Sequence, residues 1–89
     1  MKAVITVTGK DTVGIIADVS AVCAKANANI LEITQSVLSE YFAMIMLVNI
    51  EGLSCPFAEF ADALHDLGSA RGLDIRAVHE EIFDAMHRI

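Results

Sequence analysis

The chain has 89 residues, with twelve acidic and six basic side chains and a formal net charge of −6. This length predicts a single domain over residues 1–89, and the acidic balance disfavours direct binding to nucleic-acid phosphates. Hydrophobic residues make up 55% of the chain, which is more apolar material than a small two-layer domain readily buries. We therefore expect part of it to lie between copies of the chain, in a homodimer or a larger homo-oligomer.

Two apolar segments could have indicated a membrane or a secreted protein, and both are too short. The longest uninterrupted apolar run, residues 41–48, has eight residues, well below the roughly 20 that a spanning helix needs. The apolar stretch at the N-terminus is too short for the core of a signal peptide. We expect a cytoplasmic protein without a membrane partner.

The first half of the chain predicts a strand, a helix and a hairpin. β-Branched residues dominate residues 2–8, which indicates a strand. Thr12 or Asp11 can then cap a helix over residues 13–26, which asparagines close. Residues 30–38 alternate as a half-buried strand, with Gln35 as a polar exception in the apolar register. Residues 41–50 are apolar on both faces, which indicates a central strand covered on both sides.

The second half predicts a helix, a strand and a terminal helix. Pro56 suits the first position of a helix that ends near Gly68 or Gly72. Residues 73–79 resemble a fourth strand, and the terminal helix, at about 81–89, has an apolar face. The order predicts an α+β, ferredoxin-like βαββαβ sandwich: a four-stranded antiparallel sheet with two helices on one face. Either the terminal helix or a second chain would cover the other face.

The segment GKDTVGIIADVSAVCAKANANI resembles the opening of ACT domains. The resemblance covers a glycine that ends the first strand, Asp11 and Gly14 at the start of the helix, and Asn29-Ile30 at the second strand. Many ACT loops have proline where this chain has Val13. The hairpin QSVLSEYFAMIMLVNI and the ending HEEIFDAMHRI resemble a family of stand-alone ACT-domain proteins from bacteria and archaea (UPF0237). That family is also similar to the ACT domains of a glycine cleavage system transcriptional repressor.

The resemblance implies a small ligand, typically an amino acid, bound between the first loop and a partner subunit. The implicated residues are Asp11, Thr12, Val13, Gly14, Ile15, Asn29, Ile30 and Gln35. Backbone N–H groups at a helix start suit a carboxylate, Gly14 leaves space beside the backbone, and Asp11 can pair with an α-ammonium group. In the simpler alternative, Asp11 and Thr12 only cap the helix and Asn29 only ends it.

No catalytic or metal-binding pattern accompanies this loop. The histidines and cysteines of the chain are His65, His79, His87, Cys23 and Cys55. Their spacing matches neither a metal site nor a nucleophile signature. We therefore expect no enzyme activity, no metal and no cofactor. Two functions remain: a regulatory module that binds a metabolite and signals to a protein partner, and a dimerisation scaffold without a ligand. Gln35 fits both, because it suits either a ligand pocket or a hydrogen bond across a dimer.

Overall fold

The computed structural model describes residues 1–10 and 12–86. In chain order the elements are β1 (Lys2–Lys10), α1 (Ile15–Lys25), β2 (Asn29–Leu38), β3 (Tyr41–Asn49), α2 (Phe57–Arg71), β4 (Asp74–His79) and α3 (Glu80–Met86). The strands form one antiparallel sheet in the order β2-β3-β1-β4. This order confirms the predicted ferredoxin-like βαββαβ fold. Residues 87–89 of the predicted terminal helix lie outside the described residues.

The core fills the space between α1, α2 and one face of the sheet. Its strand residues alternate along β1 and β3, as the period of two in a strand requires, and its helix residues recur at spacings of three and four. The buried members include Ile5, Val7, Val19, Cys23, Met44, Met46, Val48, Phe60 and Leu64. No helix among the described residues is long and apolar enough to cross a membrane.

The other face of the sheet is covered only in part. β3 is central, between β2 and β1, but Tyr41 and Ile45 on this face are 56% and 48% exposed. Of the two covers that the sequence allows, the described part of the terminal helix therefore does not cover this part of β3, and a second chain remains the other. The physical reason is the position of α3, which packs against β1 and β4, where Val4 is buried, and does not reach the β2–β3 half.

The helix starts differ from the predicted ones by up to two residues. α1 begins at Ile15 rather than at residue 13, because Gly14 before it has a left-handed backbone with φ 87°. Pro56 precedes the first residue of α2 with an extended backbone, φ −57° and ψ 145°, instead of occupying the first helical position. Asn27, at φ 60°, follows α1 in the left-handed conformation that closes helices.

The end of α2 is a tight turn built on two glycines. Gly72 has φ 70°, and the N–H of Leu73 donates to the carbonyl of Gly68 at 2.8 Å, the pairing of a Schellman motif. A Cβ at Gly68 would lie 2.6 Å from the carbonyl oxygen of Leu73 and 3.1 Å from Cγ1 of Ile75. Gly68 therefore lets α2 lie directly on the start of β4.

Replacing Gly68 with alanine is expected to destabilise the protein, although alanine favours helices by about 1 kcal/mol over glycine. The added methyl group meets backbone atoms of β4, and overpacking of this kind costs roughly 1–3 kcal/mol. Ser69→Ala, at the exposed neighbouring position, is the control and should be neutral or slightly stabilising. Thermal unfolding measures both, and a melting temperature for Gly68→Ala at or above that of Ser69→Ala would contradict the close packing.

The two cysteines should differ in reactivity, because burial raises the pKa of Cys23 from 9.0 to about 11, whereas Cys55 is half-buried. We expect iodoacetamide at pH 8 to modify Cys55 first and Cys23 only at the rate of unfolding. The neutral thiol is favoured in the folded state, so this contribution to stability is complete below pH 9 and is lost as the pH rises to about 11. Mass spectrometry of the alkylated peptides gives the order, and equal rates would contradict it.

Candidate ligand-binding site

The start of α1 leaves backbone donors without intrahelical partners. Gly14 stands before the helix and lies in the left-handed region that glycine adopts most readily. The first intrahelical hydrogen bond runs from the N–H of Asp18 to the carbonyl of Gly14 at 3.0 Å. The N–H groups of Ile15, Ile16 and Ala17 precede it, and no side chain of residues 1–10 and 12–86 caps them. They carry the positive end of the helix dipole.

Of the two capping candidates from the sequence, Thr12 makes no capping hydrogen bond to this helix, and Asp11 lies outside the described residues. Its hydroxyl accepts a hydrogen bond of 2.7 Å from Nη2 of Arg71. The same nitrogen donates to the carbonyl of Val13 at 2.5 Å, and Nη1 donates to the carboxylate of Asp18. Arg71, at the end of α2, thus holds the loop through contacts with Thr12, Val13 and Asp18. None of these contacts caps the first N–H groups of α1, which have no side-chain cap among the described residues.

An open cleft of about 290 Å³ lies beside these donors. Its lining residues are Thr12, Gly14, Ile15, Ile16, Ala17, Gln35, Val37 and Phe42. Gln35 and Val37 belong to the edge strand β2 and share the face of the sheet that carries the helices, because they pair with the buried Met44 and Phe42. The structure therefore brings four of the predicted residues to one cleft: Thr12, Gly14, Ile15 and Gln35.

The remaining predicted residues are placed elsewhere. The side chain of Val13 is 97% exposed, outside the lining of the cleft. Asn29 and Ile30 begin β2, and Asn29 pairs with Asn49, which in turn pairs with Lys2 at the start of β1. They lie at the end of the sheet opposite to the first loop, so they do not meet the loop within one chain. Asp11 lies outside the described residues.

Gly14 lines the cleft and also lies against Arg71. A Cβ at this position would lie 3.6 Å from Nη1 of Arg71. The side of Gly14 on which other residues carry a side chain therefore faces the guanidinium. Its positive φ also means that any side chain would strain the backbone. A substitution at Gly14 would therefore disturb the loop itself, and Gln35 is the better residue with which to test ligand binding.

Three other hollows are larger than this cleft. One of them, about 380 Å³, is lined by Thr8, Gly9, Ser36, Leu38, Tyr41, Phe42 and Ala43 and contains no helix start. The other two also offer less to an amino acid. One of about 400 Å³ lies at the far end of the sheet and is lined by Met1, Lys2, His79, Glu80 and Glu81. The other, about 340 Å³, lies between α1 and α2 near Cys55. The first hollow lies beside α3, a helix of only seven residues. The second lies at the start of α2, where Glu59 in the first turn places a negative charge beside any bound carboxylate. The ring of His79 stacks on Phe57, 4.2 Å between centroids, and no cluster of three metal-ligating side chains occurs within the described residues.

Sequence reasoning missed Arg71 and much of the cleft wall. Arg71 lies 59 positions from Thr12, and no local pattern connects them. Val37 could have been found, because it follows Gln35 by two residues and so shares its face of the strand. Ile16 and Ala17 could have been found from the first turn of the helix that follows Gly14.

The geometry and the sequence define the class of protein. A family model described as an ACT domain matches residues 2–78, and the fold has the helix and strand order that the resemblance implied. The chain therefore belongs to the ACT domain family.

The more particular likeness is to stand-alone members of that family. A UPF0237 protein of Methanococcus maripaludis is 49% identical over 97% of this chain and 96% of its own length. The structure of an ACT domain protein from Streptococcus pneumoniae superposes with a TM-score of 0.80, at 38% identity, over 98% of both chains. A protein named as a glycine cleavage system transcriptional repressor shares the fold, with a TM-score of 0.73 at 24% identity over 86% of this chain and 44% of that one.

Proposed function

We propose that this protein is a non-catalytic regulatory module that binds an amino acid in the first-loop cleft, at an interface between two copies, and signals to a protein partner. ACT domains are typically regulatory, ligand-binding modules. The observation that carries the proposal is the start of α1, whose first N–H groups have no side-chain cap among the described residues and which shares one cleft with Gln35.

The chemistry of the cleft suits an α-amino acid. The N–H groups at the start of α1 would receive the carboxylate, as helix N-termini receive anions. The amide of Gln35 offers both a donor and an acceptor. Val37, Ile16 and Phe42 form apolar walls, which favour a ligand with an apolar side chain. Asp11, from the sequence, would meet the α-ammonium group.

The edge strand β2 supports an interface between two copies. It is ten residues long, and nearly all of it is exposed. Its one charged side chain is Glu32, and it contains no proline or lysine, the usual protections of an open edge. Leu31, Ile33 and Val37 on this strand are 41%, 42% and 54% exposed. An unprotected apolar edge of this length is suited to pair with another strand.

Antiparallel pairing of two β2 strands would also unite the predicted site. β2 starts at Asn29 at the far end of the sheet and ends at Leu38 beside the first loop. In a two-fold pair, the start of one strand lies opposite the end of the other, about 4.8 Å away. Asn29 and Ile30 of the partner subunit would then approach Val37 and the cleft of this chain.

We expect the preferred amino acid to raise the melting temperature in a thermal-shift screen of all twenty. A hundredfold excess over the dissociation constant adds about 2.7 kcal/mol per site, which corresponds to roughly 10–20 °C for so small a domain. Gln35→Leu should abolish the shift, because it removes the amide and keeps the size. Thr34→Val, the neighbouring position on the opposite face of the sheet, is the matched control and should keep the shift.

Asp11→Asn separates an amino acid from a plain carboxylic acid in the same assay. The substitution should weaken binding of the amino acid and leave its deaminated analogue unaffected, because only the amino acid brings a cation to residue 11. The absence of any shift for the parent protein with all twenty amino acids at millimolar concentrations would reject the ligand. The dimerisation scaffold would then be the better account.

The parent chain should elute at about twice its mass of 9.6 kDa in light scattering coupled to size exclusion at micromolar concentration. Ile33→Lys is expected to give the monomer, because it places a charge beside the β2 edge. Ile82→Lys is the matched control: Ile82 is 51% exposed, against 42% for Ile33, but lies on α3. A parent mass of 9.6 kDa, or dimers of Ile33→Lys, would contradict this interface.

A further inference from the structure

The guanidinium of Arg71 joins both sides of Gly14. It donates to Thr12 and Val13 on the loop before Gly14, and to Asp18 in the first turn of α1 after it. The side chain of Arg71 is only 21% exposed. By contrast, Arg76 is 72% exposed and pairs with Asp74 two residues away. Arg71 therefore makes long-range contacts that Arg76 does not.

The backbone that carries Arg71 is itself held firmly. Arg71 ends α2 directly before the left-handed Gly72 and the Schellman hydrogen bond of Leu73. On the other side of the loop, Gly9 packs so closely that a Cβ there would lie 2.7 Å from Cδ2 of Leu73. The turn between α2 and β4 thus contacts the loop at both ends, at Gly9 through packing and at residues 12–13 through Arg71.

The charges around Arg71 explain how a cation is tolerated beside the start of α1. A cation at the end of α2 is favourable, because a helix C-terminus carries partial negative charge, whereas one at the start of α1 is unfavourable. The carboxylate of Asp18 accepts from the guanidinium and balances it. The positive end of the α1 dipole therefore remains available to another anion.

We propose that Arg71 is a positioning residue of the ligand site, which holds residues 12–14 and the first turn of α1 so that their N–H groups point into the cleft. Arg71 does not line the cleft and acts through the loop. Its effect on a ligand rests on the proposed function, but its effect on the loop does not. A planar guanidinium donates in several fixed directions, and lysine cannot replace this geometry.

The first experiment uses the ligand-free protein. ¹⁵N relaxation should give backbone order parameters of about 0.85 at Val13, Gly14 and Ile15 in the parent, and below about 0.6 in Arg71→Ala. Arg71→Lys should restore order only in part. Arg76→Ala is the matched control and should leave the loop as in the parent. Unchanged order at these residues in Arg71→Ala would overturn the proposal.

The second experiment repeats the thermal-shift screen with the twenty amino acids. For any amino acid that binds the parent, Arg71→Ala should raise the dissociation constant at least tenfold without changing the mass in light scattering. Arg76→Ala should bind the amino acid as the parent does. Equal affinity in Arg71→Ala and the parent would also overturn the proposal. If no amino acid shifts the parent, the proposed function fails, and the relaxation data still decide the role of Arg71.

A variant with a smaller change covers the case in which Arg71→Ala does not fold. Thr12→Val removes one acceptor of Arg71 at an exposed position and keeps the β-branched shape. It should lower the order parameters of residues 12–14 without lowering those of α2. An unchanged loop in Thr12→Val, with Arg71→Ala unfolded, would count against positioning by the side-chain contact and overturn the proposal.

Discussion

The position of the first loop depends on how β1 ends against the turn between α2 and β4. Gly9 packs on Leu73, and the guanidinium of Arg71 holds Thr12 and Val13. Both contacts come from residues far along the chain. They fix the backbone before α1, as a local N-cap does in most helices. A cap would have occupied the first donors of α1. Among the described residues, these tertiary contacts hold the loop without occupying the first donors, so a ligand and these contacts would not compete for the same N–H groups.

The topology could be predicted from the sequence because each element has a clear period and clear ends. Asn27 after α1 and Gly72 after α2, both with a left-handed backbone, close the helices where the sequence predicts. The sequence predicts a start of α1 two residues too early, because Thr12 and Asp11 are good capping residues by local rules. The observed start follows from the left-handed backbone of Gly14 and from the hydrogen bond of Arg71 to Thr12. Capping rules that consider only neighbouring residues predict neither. Apolar residues on both faces of β3 correctly predicted a central strand, but such a pattern cannot specify which chain covers each face.

The candidate site shows the same division between local and distant information. Thr12, Gly14 and Ile15 are neighbours in sequence, and Gln35 joins them through the register of β2 and the packing of α1 on the sheet. The resemblance to ACT domains also implicated Asn29 and Ile30, which lie at the other end of β2. Within one copy, the strand from Asn29 to Gln35 spans about 20 Å, which is too far for both side chains to contact one amino acid. A site that contains all of these residues requires a second copy.

The pairing of Ala3 with His79 places the beginning of β1 beside the end of β4. A polypeptide joined before Met1 or after His79 would therefore leave the sheet at the end opposite to the first loop, and on the side away from β2. α3 already behaves in this way, because it follows β4 and packs only on β1 and β4. The fold can consequently be linked to other domains without obstruction of the cleft or of the open strand. A domain of this fold can therefore be appended to an enzyme or a transcription factor while the first-loop cleft and the β2 edge stay open.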